Sequence, residues 1–348
     1  MARILFGVAG QGYGHATRAK VITHYLEQQG HQVKIITYHQ TYQQLRFEFD
    51  VTKIFGLLYA HQNYRASYWQ TFWKNIKGIP AAYQSWRQLN ILVRKFRPQL
   101  VITDLEPSST LLAHYYHLPL LSIDNQHRLT RGKLEYKRRW LLSAWLNKIG
   151  VGLSAWGARA YLITTFFDFP LTKPRTYLVP PILNPSLLQT TPKIGKHILV
   201  YGTTTDLNFL LPLLTSRSET FFIYSKQRTR RQIQNCFFKP IGPQFLTDLA
   251  SAQAVIASAG FTLIGEALHL GKPYLALPLP GRIEQLVNAY YLKKLGYGDY
   301  SENLTAVQLD NFLQKLPAYR QKLSTYPRHD NSQLYSQLDR LIAGLLTK

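Results

Sequence analysis

Residues 254–289 read AVIASAGFTLIGEALHLGKPYLALPLPGRIEQLVNA, and this stretch decides the fold. Ala254, Val255, Ile256 and Ala257 form a short continuous apolar run, the pattern of a parallel strand buried on both faces. Ser258, Ala259 and Gly260 break the run. Thr262 reads as the N-cap of a helix reaching Leu270, which Gly271 closes and Pro273 prevents from restarting. Tyr274 to Leu277 is the next strand, ended by Pro278 and Pro280. Strand, turn, helix, strand, loop, helix is α/β architecture with a parallel sheet.

A turn opening onto a helix N-terminus is an anion site, because unpaired N–H groups and the helix dipole converge there. Glu266 lies four residues beyond Thr262 on the same helical face. A carboxylate one turn in from a phosphate can accept hydrogen bonds from two ribose hydroxyls. Glu284, Gln285 and Asn288 place three polar side chains within five positions, enough to hold a sugar. The bland alternative is an ordinary α/β unit with Glu266 on a solvated helix face.

Ser258-Ala259-Gly260-Phe261-Thr262, Glu266, Gly271-Lys272-Pro273, Glu284-Gln285 and Asn288-Ala289 together resemble the donor-nucleotide site of GT-B glycosyltransferases. The resemblance is to the MurG-like and glycolipid-synthase (family 28-type) branch, and it extends over most of the chain. It implies an α/β fold of two Rossmann-like domains facing each other across a cleft, with a C-terminal helix crossing back to the first domain. The implied boundaries are 1–182 for an acceptor domain, 183–192 for a linker, 193–325 for a nucleotide-sugar donor domain and 326–348 for the returning helix. It also implies a UDP-linked sugar as co-substrate, with no other cofactor and no ligated metal.

Composition agrees with two domains in 348 residues. Hydrophobic residues make up 46%, which excludes global disorder. One cysteine, Cys236, rules out intramolecular disulfides and fits a reducing compartment. Arg3 to Ala9 reads as a strand entering a glycine loop rather than as the apolar core of a secretion signal. No apolar run is long enough to span a bilayer. The expected location is the cytoplasm, on the inner face of the plasma membrane. Forty-one Lys and Arg against 18 acids give a net charge of +23. Such a surface attracts nucleic acid, an anionic leaflet or phosphorylated substrates. Neither a helix-turn-helix, a zinc finger nor an RNP pattern is present, so nucleic acid is not the expected partner.

At the front of the chain, Arg3–Val8 is a strand and Ala9–Arg18 (AGQGYGHATR) opens a helix running to about Gln29; Gln32–Thr37 is the second strand. The glycines fall at 7, 10, 12 and 14, not in the dinucleotide-binding register, and no acid ends the second strand. The Gly-x-Gly-His arrangement resembles the first glycine loop of MurG-like enzymes, which implies that Gly12, Tyr13 and Gly14 face the acceptor. The match also makes His15 the general base. An imidazole suits removal of a proton from an attacking hydroxyl. Its alternative role is to cap the helix or touch phosphate.

Asp104, at the end of the strand Gln99–Thr103, is placed to orient His15, or else to cap the next helix. Asp104 and Glu106 without a third ligand are a weak metal signal. The strand Leu118–Ile123 ends in Asp124-Asn125-Gln126-His127, so Asp124 and His127 read as cleft lining. Tyr64, Tyr68, Phe72, Trp69 and Trp73 recur at helical spacing, as core or as an acceptor surface. From Arg128 to Arg139 basic residues precede Trp140, Leu141, Leu142, Trp145 and Leu146, which fits a helix lying on an anionic membrane.

Pro170, Pro174, Pro180, Pro181 and Pro185 punctuate the approach to the second domain, which His197–Tyr201 opens. Gly202 and Thr203 form its first turn, facing the donor phosphates. In the resembling family the loop at 239–245 pins the nucleobase, which points to Ile241 and Phe245. Residues 311–346 read as amphipathic helices.

The expected activity is inverting transfer from a nucleotide sugar to a hydroxyl acceptor carried on a glycolipid or polyprenyl chain. Two rivals share the fold: an epimerase acting on the nucleotide sugar alone, and a non-catalytic polyanion-binding protein.

Overall fold

A computed structural model describes residues 1–56, 61–62, 65–66, 78–202, 209–225 and 231–347. Two compact units emerge. Unit 1 is Met1–Gln62, Ala66–Asn184 and Asp330–Lys348; unit 2 is Asn63–Arg65 and Pro185–His329.

The first part of the chain contains β1 (Arg3–Val8), α1 (Tyr13–Gln28), β2 (Gln32–Thr37), α2 (His39–Leu45) and β3 (Val51–Lys53). Two two-residue strands follow, β4 (His61–Gln62) and β5 (Arg65–Ala66). Next come α3 (Ile79–Phe96), β6 (Leu100–Asp104), α4 (Pro107–Tyr115), β7 (Leu120–Asp124) and α5 (Arg128–Arg131). The series ends with α6 (Leu141–Ser154), β8 (Ala160–Thr164) and β9 (Thr176–Val179). Seven of these strands form one parallel sheet in the order β3-β2-β1-β6-β7-β8-β9. Every residue of β6, β7 and β8 is buried, as a parallel sheet covered on both faces requires.

Unit 2 contains α7 (Pro185–Leu188), β10 (His197–Gly202), α8 (Leu211–Thr215), β11 (Thr220–Ser225), β12 (Arg231–Ile233) and β13 (Cys236–Pro240). It continues through α9 (Gln244–Ser251), β14 (Val255–Ala257), α10 (Phe261–His269), β15 (Tyr274–Ala276) and α11 (Ile283–Lys294). Last are β16 (Gly298–Tyr300), α12 (Ala306–Gln314) and α13 (Leu316–Leu323). Its sheet runs β12-β13-β11-β10-β14-β15-β16, parallel except for β12 against β13.

The final helix, α14 (Ser332–Leu346), belongs to unit 1. Leu334, Leu338, Leu341, Ile342 and Leu345 recur at helical spacing and join the core built on β1, β2 and α1. Tyr25 stacks on Tyr335 at 4.0 Å and donates to Asp339 at 2.6 Å, which sets the helix against α1.

Both sheets reverse their strand order once. In unit 1 the reversal falls between β1 and β6; in unit 2 it falls between β10 and β14. Open α/β sheets bind ligands at the carboxyl ends of the strands flanking such a switch point.

One local expectation is corrected. Thr262 is not an N-cap: α10 starts at Phe261, Gly260 holds the cap position with φ −69°, and no side chain caps it. Among the prolines before the linker lies a strand, β9, whose seat at the sheet edge tolerates Pro174 and Pro180 beside it. The aromatic series Tyr64, Tyr68, Trp69, Phe72 and Trp73 lies outside the described residues.

Candidate active site

The switch point of unit 1 is formed by the loop after β1 and the end of β6. Gly12 sits at φ 110°, a conformation that disfavours any side chain, and starts α1 with no side-chain cap. Tyr13 begins the helix and is 38% exposed, with Gly14 and His15 beside it in the first turn. The Ala9 amide donates to the Asp104 carbonyl at 3.0 Å, so the loop and the end of β6 are tied together.

His15 Nδ1 lies 3.0 Å from Asp104 Oδ2, and the Asp104 side chain is fully buried. Arg18, one turn along α1, grips the same carboxylate: Nη2 is 2.7 Å from both oxygens and Nε donates to Oδ2 at 2.9 Å. Burial alone would raise the Asp104 carboxyl; Arg18 first, then His15, more than offset it and hold it below the usual carboxylate range. Asp104 is therefore an ionised anchor. An Nδ1–H directed at it leaves the His15 Nε2 lone pair free to accept a proton. Arg18 Nη2 also lies 3.0 Å from Nδ1; with the proton on Nδ1 both are donors, and the Asp104 carboxylate between them accepts from each.

The alternative reading of Asp104 as a helix cap does not hold. Glu106 caps α4, accepting from the amides of Ser108 at 2.9 Å and Ser109 at 2.6 Å. Leu105 between the two acids takes φ 56°, a left-handed conformation unusual for leucine, and separates the two roles.

One strand over, the end of β7 carries a second His–Asp pair. His127 Nδ1 is 2.6 Å from Asp124 Oδ2, and both side chains are buried. Asp124 also accepts from the Ser122 hydroxyl at 2.8 Å and from the Gln126 and His127 amides at 2.7 Å. Burial opposes ionisation, but His127 and these donors hold the carboxyl far below its usual value. Buried His127 Nε2 has no hydrogen-bond partner among the described residues.

In unit 2 the turn Ser258-Ala259-Gly260 stands at the end of β14, beside the switch point. Two buried side chains set its shape. The Tyr274 hydroxyl donates to the Ser258 carbonyl at 2.7 Å, and Asn288 Nδ2 donates to the Ala259 carbonyl at 2.9 Å. No acid stands in the first turn of α10 to occupy its amides. Glu266 lies one turn in. Its carboxyl makes no hydrogen bond and no ion pair among the described residues, and burial pushes its pKa up to about 7.

The remaining sequence expectations divide. Asn288 is fully buried and spends its amide on the turn, and Gln285 Oε1 accepts from the Leu279 amide at 2.9 Å. Each makes a contact that shapes a loop here, and Glu284 in the first turn of α11 is part-exposed. Phe245 packs its ring against Tyr201 at 5.3 Å and Tyr224 at 5.0 Å; Ile241 is 41% exposed. Gly202 ends β10, and Thr203 lies outside the described residues.

Arg18 and Tyr274 were not singled out in the sequence. Arg18 carried a signal, standing three residues past His15 on one helical face. Tyr274 did not, because its partner becomes a neighbour only through strand pairing.

Two α/β units in one chain, each with a largely parallel sheet and a glycine turn at its switch point, make the GT-B fold. The chain belongs to glycosyl transferase family 1, whose family model matches residues 2–317. A search of curated protein sequences finds no match. Solved structures share the fold. The glycotransferase of kitacinnamycin superposes with a TM-score of 0.69 at 15% identity, covering 97% of this chain and 98% of that one. Glycosyltransferase VinC, crystallised in complex with dTDP, gives 0.64 at 17% identity over 97% and 98%. MurG of Acinetobacter baumannii gives 0.64 at 16% identity over 98% and 100%.

Proposed function

We propose that this glycosyltransferase is an inverting, metal-independent enzyme that moves a sugar from a uridine diphosphate sugar to a hydroxyl acceptor. The observation that carries the donor half is Glu266: a desolvated carboxylate with no hydrogen-bond partner among the described residues, one turn behind a helix tip that no side chain caps. Two ribose hydroxyls would supply its missing donors, and the first-turn amides of α10 would hold the diphosphate. As the bond from the anomeric carbon to the diphosphate oxygen breaks, negative charge gathers where those amides point. Glu284 is the sugar-facing group of α11.

In the acceptor half, His15 Nε2 takes the hydroxyl proton while the acceptor oxygen bonds the anomeric carbon from the face opposite the leaving diphosphate. Asp104 stays ionised throughout and holds the imidazole; it takes no proton. His127 and Asp124 line the acceptor region. Transfer requires the donor held by unit 2 to meet the hydroxyl beside His15.

The acceptor is carried on a lipid, and the enzyme works at an anionic membrane surface. What supports this is α6: Leu141, Leu142, Trp145, Leu146, Ile149 and Leu153 are all 37% exposed or more, and Lys137, Arg138 and Arg139 precede them. Among the described residues no helix is long and apolar enough to cross a membrane, so contact would be peripheral.

A thermal-shift screen with UDP, UDP-sugars and dTDP tests the donor. A specific ligand at a hundredfold excess over its Kd stabilises by about 2.7 kcal/mol. Glu266→Ala should lose most of that shift. No shift with any nucleotide in the intact protein would remove the donor site; a shift with dTDP alone would replace uridine by thymidine.

A further inference from the structure

At the edge of the unit 2 sheet opposite the Ser258 turn, before the first residues of β10, β14 and β15, lies a recess of about 250 Å³. Lys193, His269, Lys272, Arg320 and Arg328 line it, and no acid does. Its centre is a built cation. The Lys272 side chain is only 2% exposed, and among the described residues its ammonium has one partner, the Lys193 carbonyl. Arg320 Nη2 donates to the Gln253 carbonyl at 3.3 Å. His269 Nδ1 is buried without a hydrogen-bond partner.

Two helix ends face the recess. The Glu266, Ala267 and Leu268 carbonyls of α10 accept from Leu270, Lys272 and Gly271, and the Arg320, Lys322 and Leu323 carbonyls of α13 accept from Ser324, Thr325 and Tyr326, so none of these six bonds the Lys272 ammonium. The charges also disturb one another. Burial first, and then Arg320, bring the Lys272 pKa down to about 8; burial and then Arg328 lower His269. A buried ammonium with N–H groups to spare, an imidazole nitrogen without a partner and two guanidinium groups make a setting that suits an anion.

We infer that this recess is a second anion site, separate from the nucleotide site, that binds a phosphate group: a phosphate monoester or pyrophosphate. The volume suits a small phosphorylated molecule. Lys272 and His269 supply the inner donors, and Arg320 and Arg328 form the mouth. Planar guanidinium forks match phosphate oxygens in pairs. The phosphate is either free in solution or the headgroup of a lipid, and both present the same oxygens.

The test is titration of the intact chain with pyrophosphate, and separately with phosphatidic acid vesicles in a Leu142→Glu/Trp145→Glu background that removes contact through α6, at an ionic strength held constant with NaCl. Wild type with and without saturating UDP-glucose, an Arg320→Gln/Arg328→Gln double variant and Lys272→Met are compared. Saturable pyrophosphate binding should persist with the donor site filled by UDP-glucose, which separates it from that site. It should weaken about tenfold or more in the double variant, whose changes lie at the mouth, and vanish in Lys272→Met. Vesicle binding that the double variant loses, with no pyrophosphate binding, supports the site with a lipid source. Lys272→Met should fold and match wild type in stability in anion-free buffer; a large loss there would make Lys272 a structural ion and overturn the site. So would binding that is equal in all variants, or absent from both arms.

Discussion

The Asp104 carboxylate holds His15 Nδ1 at 3.0 Å while Arg18 clamps both of its oxygens, so one buried acid serves two partners. Both basic groups come from a single turn of α1, and the acid comes from the strand beside it. The orientation of the imidazole thus depends on strand pairing between β1 and β6 as much as on the helix.

Removing the base should cost rate rather than binding. His15→Ala is expected to lower kcat by roughly 10²–10⁴-fold, the usual worth of a positioned general base, with donor affinity unchanged. Asp104→Asn should lower kcat through loss of the tautomer. Steady-state kinetics with the donor Kd measured separately check both. Full activity in His15→Ala would remove it from the chemistry.

The clamp also has a stability consequence. The folded carboxyl of Asp104 lies below its unfolded value, so its contribution is present above the ordinary carboxylate pKa and is lost as pH falls through the folded value. Arg18→Ala leaves the buried acid without its guanidinium, with His15 still beside it, and should destabilise unit 1 by about 3 kcal/mol at pH 7. Arg18→Ala/Asp104→Leu should recover much of that loss. Urea denaturation at pH 7 and pH 3 measures it, and the gap between Arg18→Ala and wild type should narrow at the lower pH.

Much of this was legible in the sequence. The run Arg3–Val8 matched its strand to the residue, because buried parallel strands are continuous apolar runs bounded by glycine or polar residues. Glu266 was legible as a helix-face position relative to the glycine turn. The cap was misread at Thr262, since the tip of α10 is left uncapped and its amides have no side-chain acceptor. The loop contacts that Gln285 and Asn288 make were not legible, because polar side chains near a site look alike until their neighbours are known. Their partners, Leu279 and Ala259, are backbone groups brought near by loop and helix packing. β12 and β16 are three-residue strands whose identity lies in long-range pairing, which no local window carries.

The apolar face of α6 should place the protein on anionic membranes. Leu142 is 71% exposed and Trp145 is 59% exposed, so Leu142→Glu/Trp145→Glu removes apolar area without opening the core. The wild type is expected to sediment with phosphatidylglycerol vesicles, less so at high salt, and the double variant should stay in solution. Equal partition of both proteins would assign the face to some other partner.

Deleting residues 330–348 should abolish folding of unit 1. Leu334, Leu338, Leu341, Ile342 and Leu345 are all buried in its core. At ~1.5–3 kcal/mol per side chain, their loss is on the order of 10 kcal/mol, comparable with the whole stability of a domain. Asp339→Ala, which only removes the acceptor for Tyr25, should cost about 1 kcal/mol and leave the protein soluble. Soluble expression and circular dichroism distinguish the two.

Glu266 gives the sharpest test of the donor site, because its titration and its ligand are linked. Its folded pKa is raised from 4.5 to about 7 by burial. A raised value means the neutral acid is favoured in the fold: that contribution is fully present below pH 4.5 and is lost as pH rises through about 7. Glu266→Gln should therefore match wild type below pH 4.5 and exceed it above pH 7 by on the order of 2 kcal/mol, discounted for partial exposure. Ribose hydroxyls donate to the ionised form, so binding should pull the pKa down and release a proton near neutral pH. UDP-glucose is the suitable probe, because its diphosphate has no group titrating there. Calorimetry in buffers of different ionisation enthalpy should show that release in wild type and none in Glu266→Gln. Binding without proton release in wild type would mean that Glu266 does not meet the ribose.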